Sequence, residues 1–310
     1  MIEPGLSLLQ KLRYGAEAAA FFFLMAIFRV IGLEAATALG GFIGRNIFSL
    51  LPPDRTARNN LLAAFPEKSE EERDAIRIAM WDNLGRVVAE YPHLEKFSPL
   101  GDDPRITFTA PQNPDTYKGQ AILFLSGHFA NWEMMPILGE QHGLKGATVV
   151  RPPNNPYIAS WIARQRAING PDSLLAKHSA ARRMMSQLRG GGVIYMLVDQ
   201  KLREGIAVPF FGRDAMTTPA PAALALKLGA RILMAANRRT KGARFHVTVS
   251  PGPDFKPSGD ESRDIRELTA AITARIEESV RADPAQWLWI HNRWPTARDI
   301  ALTHGRAVSP

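Results

Sequence analysis

The 310-residue sequence contains no cysteine, which excludes disulfide bonds, zinc sites built from thiolates and a cysteine nucleophile. It also lacks an HExxH motif, a Walker phosphate-binding loop and a dinucleotide-binding glycine motif. No run of residues repeats at a fixed period, and no segment is low in complexity. We therefore predict neither a metal ion nor a cofactor.

Negative charge is scarce relative to positive charge. The chain has 38 Lys and Arg residues against 30 Asp and Glu residues, a formal net charge of +8. A basic surface suits nucleic acid, anionic lipid or an acidic protein partner, and the charge alone does not distinguish them. The hydrophobic fraction of 45% is ordinary for a globular protein and low for a protein with many membrane spans.

Long hydrophobic runs are absent except near the N-terminus. Residues 18–28 are all apolar, Arg29 interrupts the run, and the apolar character continues to Leu33. Spanning a bilayer takes about 20 residues, so this segment is marginal. We predict that residues 1–52 form a membrane-associated helical segment, either a short or tilted anchor or an amphipathic helix in the membrane interface. The alternative is a buried core helix.

From residue 53 onward the sequence predicts an α/β domain that extends to residue 310. The predicted strands are 106–110, 121–125, 147–150, 193–198, 206–211, 231–236 and 245–250. The predicted helices are 54–64, 70–91, 131–142, 156–168, 179–188, 219–228 and 263–281. This alternation favours a mainly parallel central sheet flanked by helices on both faces. The triple glycine at residues 190–192 precedes a strand, so we interpret it as a turn and not as a phosphate loop.

The segment most suggestive of chemistry follows the predicted strand 121–125. His128 stands at the carboxyl end of this strand, where α/β sheets place ligands, and Glu133 lies in the first turn of the next helix. A carboxylate facing the imidazole would fix its tautomer and leave the other nitrogen free to accept a proton. We therefore predict a catalytic pair, with His128 as a general base acting on a hydroxyl group. The alternative is a structural loop histidine followed by an acid that stabilises the helix start.

Three further residues are predicted at the same edge of the sheet. Arg151 follows one strand and is either an oxyanion stabiliser, a phosphate ligand or a surface residue before a proline loop. Asp199 follows another strand and either orients Arg151 or a substrate hydroxyl, or caps a turn. Asn131 is the predicted N-cap of the helix, and we group it with the substrate-binding or oxyanion residues. Ser126 lacks the G-x-S-x-G context of a nucleophile elbow, so we predict no covalent intermediate.

Several blocks of the sequence, in order, resemble one known family. The segment His128-Phe129-Ala130-Asn131-Trp132-Glu133 resembles the H-x4-D/E motif of the late acyltransferases of lipid A synthesis, often called lauroyl or myristoyl acyltransferases. The other matching blocks are Val150-Arg151-Pro152, Val198-Asp199-Gln200, Val208-Pro209-Phe210-Phe211-Gly212 and the C-terminal Trp287, Trp289, His291, Arg293 and Trp294. The resemblance extends from about Tyr14 to Trp294. Lys201 departs from the pattern, because many relatives have a second acid there, and no role is carried over to it.

The resemblance implies an enzyme that transfers a fatty acyl group from acyl carrier protein to a hydroxyl of a lipid A precursor. It also implies a location at the cytoplasmic face of the inner membrane. The H-x4-D/E motif does not encode the acceptor, so another glycolipid or a glycerophosphate stays open. A non-catalytic basic membrane-binding protein is the alternative of a different class. No aromatic-rich nucleic-acid motif is present, so we predict no nucleic-acid partner.

Two patterns have both a structural and a functional interpretation. The alternation of Trp287, Trp289 and His291 predicts a strand with all three on one face, as core packing or as an aromatic wall near lipid. A cluster of basic residues is either a solvated surface or a contact for the acidic carrier protein or for acceptor phosphates. Its members are Arg164, Arg166, Lys177, Arg182 and Arg183.

Overall fold

The computed structural model of the chain describes residues 7–167, 173–176 and 180–294. These residues include β1 (Ile106–Thr109), β2 (Ile122–Ser126), β3 (Gly146–Val150), β4 (Leu174–Ala176), β5 (Val193–Leu197), β6 (Ile206–Phe210), β7 (Arg213–Thr217), β8 (Arg231–Lys241) and β9 (Arg244–Pro251). Seven strands form one sheet in the order β1-β9-β8-β2-β5-β3-β4, and β6 and β7 form a separate hairpin. All neighbours in the large sheet are parallel except β8 and β9. The predicted mainly parallel α/β fold is therefore confirmed.

Helices flank this sheet and precede it in the chain. They are α1 (Leu8–Ile31), α2 (Leu33–Asn46), α3 (Pro53–Ala64), α4 (Glu70–Glu90), α5 (Met134–Gln141), α6 (Pro156–Arg166), α7 (Ala180–Arg189), α8 (Ala220–Leu228) and α9 (Glu261–Ala282). Local sequence explains several of the ends. Ser69 and Glu72 form a reciprocal capping box at the start of α4, and Gly229 ends α8 in the left-handed conformation.

β2 is the central strand, and its position determines where the site forms. All five of its residues are buried, which explains the continuous apolar run in the sequence. β2 lies between β8 and β5, with Ser126 level with Leu197 of β5. The ladder continues one residue further, because Val198 N donates to Ser126 O at 2.9 Å. The residues that follow β2 and β5 are therefore neighbours.

α1 and α2 lie outside the sheet and pack through α4. α1 is long and apolar enough to cross a membrane by length and composition, but few of its side chains are buried. The buried-core alternative for this segment is therefore wrong. α2 and α4 approach so closely that a Cβ on Gly44 would lie 2.0 Å from Trp81 O, and one on Gly85 would lie 2.0 Å from Gly40 O. Only glycine allows this backbone-to-backbone contact.

The C-terminal block differs from the prediction. Residues 287–291 do not form a strand; Trp287 makes one isolated antiparallel bridge with Phe129 after a short 3-10 helix, Pro284–Gln286. Trp287 and Trp289 are both buried, with ring centroids 4.6 Å apart at 90°, so core packing is confirmed for these two. The alternating residues were interpreted as a strand, but aromatic rings can also alternate where they pack around a turn. This explains why the predicted strand is wrong.

Candidate active site

His128 is held by Asp199 at the carboxyl ends of the two central strands. The backbone N–H of His128 donates to Asp199 Oδ2 at 2.7 Å, and its Nδ1–H donates to Asp199 Oδ1 at 2.8 Å. Both contacts follow from the register of β2 and β5, which ends the two strands side by side. The two hydrogen bonds fix the ring orientation and assign the proton to Nδ1.

Asp199 is buried, with 4% of its surface exposed, and it remains ionised there. Burial alone raises the pKa of a carboxyl group, but the charge of His128 and hydrogen bonds from His128 and Trp287 lower the pKa of Asp199 to about 2. Trp287 Nε1 donates to Asp199 Oδ2 at 2.7 Å. This carboxylate is therefore charged at every pH at which an imidazole titrates.

The second ring nitrogen of His128 faces away from Asp199. Gln200 Nε2 lies 3.2 Å from His128 Nε2 and donates to it, so this nitrogen is the accepting nitrogen of the ring. The ring also contacts Trp132 and His291, with centroid distances of 5.1 and 5.8 Å. A neutral imidazole with a buried carboxylate on one nitrogen and an accepting second nitrogen is suited to general-base chemistry.

Glu133 does not contact His128, which corrects the predicted orienting contact. Tyr91 Oη donates to Glu133 Oε1 at 2.7 Å. Arg166 donates to the same oxygen from Nη2 at 2.6 Å and from Nε at 2.9 Å. Burial disfavours the cation, but Glu133 and Tyr91 raise the pKa of Arg166 above its ordinary value. Arg166 is therefore part of a partly buried ion pair and does not belong to a solvated basic face.

The backbone before α5 explains why Glu133 points elsewhere. Ala130 has a φ of 45°, in the left-handed region that few non-glycine residues adopt, and α5 begins only at Met134. The turn rotates the following residues relative to His128, so that helical spacing does not apply between His128 and Glu133. Such strain costs about 1–3 kcal/mol and persists only where the surroundings enforce it.

The strained turn is fixed by contacts from three parts of the chain. Ala130 N donates to Gln286 O at 2.8 Å, and Asn83 Nδ2 donates to Ala130 O at 3.0 Å. Arg239 Nε in turn donates to Asn83 Oδ1 at 2.9 Å, and the same guanidinium pairs with Glu90. α4 and β8 thus hold the loop that carries His128.

Asn131 belongs to this supporting network. Its side chain is buried, donates to Glu90 Oε2 at 2.9 Å and accepts from Glu133 N at 3.1 Å. Both polar ends are satisfied inside the protein, which corrects the predicted substrate-binding role of this side chain. Within the part of the chain that the structure describes, the backbone N–H groups of Asn131 and Trp132 donate to no backbone or side-chain acceptor.

Ser126 is not placed as a nucleophile. Its side chain is buried, and its hydroxyl donates to Ala235 O at 2.7 Å and not to a histidine. A nucleophilic serine needs a base within hydrogen-bond reach. The geometry agrees with the expectation of direct transfer.

Arg151 follows β3, as predicted, and its side chain is exposed. It lies close enough to His291 to influence its ionisation. Burial of the ring and the charges of His128 and Arg151 lower the pKa of His291 to about 4, although Asp199 acts in the opposite direction. His291 is partly exposed and its ring contacts that of His128, so Arg151 and His291 lie at the outer side of the site.

The space next to His128 is recessed and mostly apolar. It is too narrow for a water molecule and is bounded by Met80, Asn83, Leu84, Trp132, Gln286, Trp287 and Leu288.

Of the predicted basic cluster, Arg164, Arg182 and Arg183 are exposed, and Lys177 lies outside the described residues. Among residues 7–167, 173–176 and 180–294, no group of three His, Asp or Glu side chains is placed to hold a metal ion.

Three functional partners were not predicted from the sequence. They are Trp287, which binds Asp199, and Tyr91 and Arg166, which bind Glu133. Tyr91 was predicted at the end of a helix, and Arg166 was predicted in a cluster of basic residues. Their contacts with Glu133 were not predicted. No spacing in the sequence relates residues that are 33 or more positions apart.

Comparison with known proteins relates the chain to one family. A family model described as bacterial lipid A biosynthesis acyltransferase matches residues 4–296. The lipid A biosynthesis lauroyltransferase of Escherichia coli (strain K12) is 26% identical over 256 residues, covering 78% of this chain and 79% of its own. The lipid A biosynthesis palmitoleoyltransferase of the same organism is 23% identical over 271 residues, covering 82% of this chain and 84% of its own. A phosphatidylinositol mannoside acyltransferase of Mycobacterium tuberculosis is 28% identical over 185 residues, covering 56% and 54%.

Proposed function

Since the chain belongs to the bacterial lipid A biosynthesis acyltransferase family, we propose that it transfers a fatty acyl group from acyl carrier protein to a hydroxyl of a lipid A precursor. The observation that carries the proposal is the pairing of His128 with the buried Asp199 at the carboxyl ends of the two central strands. A basic membrane-binding protein without catalysis has no need of a buried, ionised carboxylate behind an accepting imidazole.

The proposed reaction is a single displacement at the thioester carbonyl. His128 Nε2 takes the proton of the acceptor hydroxyl as its oxygen bonds to the carbonyl carbon, and the imidazolium is stabilised by Asp199. The carbon–sulfur bond then breaks, and His128 returns the proton to the carrier thiolate. Asp199 stays ionised throughout, because its pKa lies near 2.

The negative charge that develops on the thioester oxygen needs donors. We assign this role to Arg151 and to the backbone N–H groups of Asn131 and Trp132. Support comes from the electrostatic influence of Arg151 on His291 and from the lack of a described acceptor for the two N–H groups. Fixed donors of this kind act on the transition state more than on the bound substrate.

The proposed location is the cytoplasmic face of the inner membrane. α1 is long and apolar, and most of its side chains are exposed, as suits a helix in contact with lipid. Exposed basic residues on α6 and α7, including Arg164, Arg182 and Arg183, offer a surface for the acidic carrier protein or for acceptor phosphates.

A second acceptor is favoured by one specific observation. The similarity to the mannoside acyltransferase has the higher identity, 28%, but covers little more than half of either chain. The same base chemistry would serve a mannolipid, because His128 acts only on the hydroxyl. The two candidates differ in the acceptor and not in the catalytic residues.

Mass spectrometry of cellular lipids tests the proposal directly. Lipid A from cells with the intact gene should contain one acyl chain more than lipid A from cells without it. Re-expression of the wild type or of His246→Ala, a histidine on β9 away from the site, should restore the chain, whereas His128→Ala should not. If lipid A is unchanged in cells without the gene but another glycolipid lacks an acyl group, the acceptor is that glycolipid and not a lipid A precursor.

A further inference from the structure

α1 exposes one continuous apolar face along its whole length. The exposed residues of this outer face are Leu8, Leu12, Ala16, Ala19, Phe23, Ala26 and Val30. At 100° per residue they fall within a sector of about 80° of the helix circumference. This sector contains no charged side chain, and its large members are strongly exposed, Phe23 at 70% and Val30 at 85%.

The opposite face of α1 is attached to the domain. Ala18, Met25 and Phe28 are buried there. Polar contacts fix the helix at two distant points, because Asn155 Nδ2 donates to Tyr14 O at 2.9 Å and His93 Nε2 donates to Phe28 O at 2.9 Å. α1 therefore runs along the surface of the domain and does not project from it.

Two charged residues of α1 also bind the domain. Asn155 Nδ2 donates to Glu17 Oε2 at 3.2 Å, and Arg29 pairs with Glu95. Glu17 and Arg29 are separated by about 18 Å along the helix axis, at a rise of 1.5 Å per residue. The hydrocarbon core of a bilayer is about 30 Å thick. A crossing helix would therefore carry at least one of these charges, with its partner from the domain, into the hydrocarbon.

We propose that α1 lies in the plane of the membrane surface, with its outer face in the lipid and its inner face on the domain. This inference rests on the proposed membrane association and adds the orientation. The partner is a bilayer surface with anionic headgroups, because the exposed Lys11 lies next to the outer face and the chain as a whole is basic. The net charge of +8 also favours binding to anionic lipid.

Exposed apolar residues continue beyond α1. Leu39 and Phe42 of α2 are exposed, as are Ile47 and Leu50 in the turn that follows it. α2 packs beside α1 on the same helix, α4, through the buried residues Ala36 and Ala89. Exposed large apolar side chains outside a core often mark an interaction site, and here they occur on α1, on α2 and on the turn after α2.

Fluorophore depth along α1 tests the orientation. Because the chain has no cysteine, a single cysteine at Leu12, Phe23 or Val30 can be labelled selectively in the full-length protein with the fluorophore NBD. The probe membranes are vesicles of phosphatidylethanolamine and phosphatidylglycerol, with quenchers attached to the lipids at different depths. These positions are exposed, so the substitutions should not disturb the fold. Lys256→Cys, exposed just before α9, is the control that should stay in water.

The proposal predicts the same shallow depth for all three α1 labels. A depth near the bilayer centre for the label at Phe23, with those at Leu12 and Val30 near opposite surfaces, would show a spanning helix and overturn it. Absence of all quenching, with protein left in solution, would overturn it as well and would contradict membrane association itself. Acyl transfer to a detergent-dispersed acceptor, measured on the same variants, reports the proposed activity separately from the orientation.

Discussion

Asp199 and Glu133 are two buried carboxylates near the end of β2, but they are paired with cations of different kinds. Asp199 binds the imidazole of His128, a type of side chain that can accept and release a proton as a general base. Glu133 binds Arg166, whose guanidinium does not lose its proton in proteins. A carboxylate can assist proton transfer only where its partner titrates. We therefore propose that the first pair takes part in the chemistry and that the second pair supports the loop.

Removal of the first pair should have the largest effect. We expect His128→Ala and Asp199→Ala each to lower kcat by about 10²–10⁴, the usual contribution of a positioned general base. The double variant should lose little more than either single variant, because the two side chains act as a unit. Steady-state kinetics on protein with wild-type circular dichroism would measure this. A folded His128→Ala enzyme with near wild-type turnover would contradict the mechanism.

The second pair should matter for stability more than for turnover. Glu133→Gln leaves the partly buried charge of Arg166 without a counter-ion. Loss of one partner of a fully buried pair costs about 3–5 kcal/mol of unfolding free energy, and we expect a smaller loss here. The double variant Glu133→Gln, Arg166→Met should recover part of this loss in urea unfolding. If Glu133→Gln is as stable as the wild type but inactive, Glu133 takes part in the chemistry and the distinction between the two pairs fails.

The ionisation of Asp199 gives a pH test of the same comparison. Its folded pKa of about 2 lies below the ordinary value of 3.8, so the stabilisation is complete above pH 4 and is lost as the pH falls through about 2. A shift of this size corresponds to an amount on the order of 2 kcal/mol. The ¹³C NMR signal of the Asp199 carboxyl group should stay constant from pH 7 to pH 4. Titration of that signal near pH 4 or above would show that the pair with His128 is weak.

The smallest expected effect concerns Arg151, the arginine of the site for which no carboxylate contact is described. Arg151→Lys keeps the charge and removes the planar fork of donors. If Arg151 stabilises the oxyanion, kcat should fall by roughly tenfold with little change in KM. A raised KM with an unchanged kcat would indicate a clamp for phosphate or carrier protein, and no change in either would remove Arg151 from the site. Arg263→Lys, at an exposed position of α9 that belongs to neither the site nor the proposed binding surface, is the matched control.

The sequence predicts the sheet better than it predicts the contacts at the sheet's edge. The buried strands β2 and β5 were located within a residue, because their apolar runs end at polar residues or glycine. His128 and Asp199 were each predicted at a strand end. Their contact was not, because the adjacency of β2 and β5 depends on strand order, which no spacing in one sequence encodes.

The predicted contact between Glu133 and His128 is wrong for a local reason. A spacing of five residues was interpreted as if the helix began at Asn131, but the left-handed backbone at Ala130 delays its start to Met134. Alanine gives no sign of a positive φ, unlike glycine or asparagine. The enforcing contacts come from Asn83 and Gln286, which are distant in the sequence.

The backbone contact between α2 and α4 has a consequence for the acceptor. A Cβ on Gly40 would lie 2.4 Å from Gly85 O, so no side-chain layer separates the two helices or can repack between them. α4 also supplies Asn83 and Glu90 to the loop of His128. On a membrane, the reacting nitrogen would therefore stand at a constant height above the lipid plane. Acceptors would then be distinguished by how far the size of the headgroup raises the reacting hydroxyl above the bilayer.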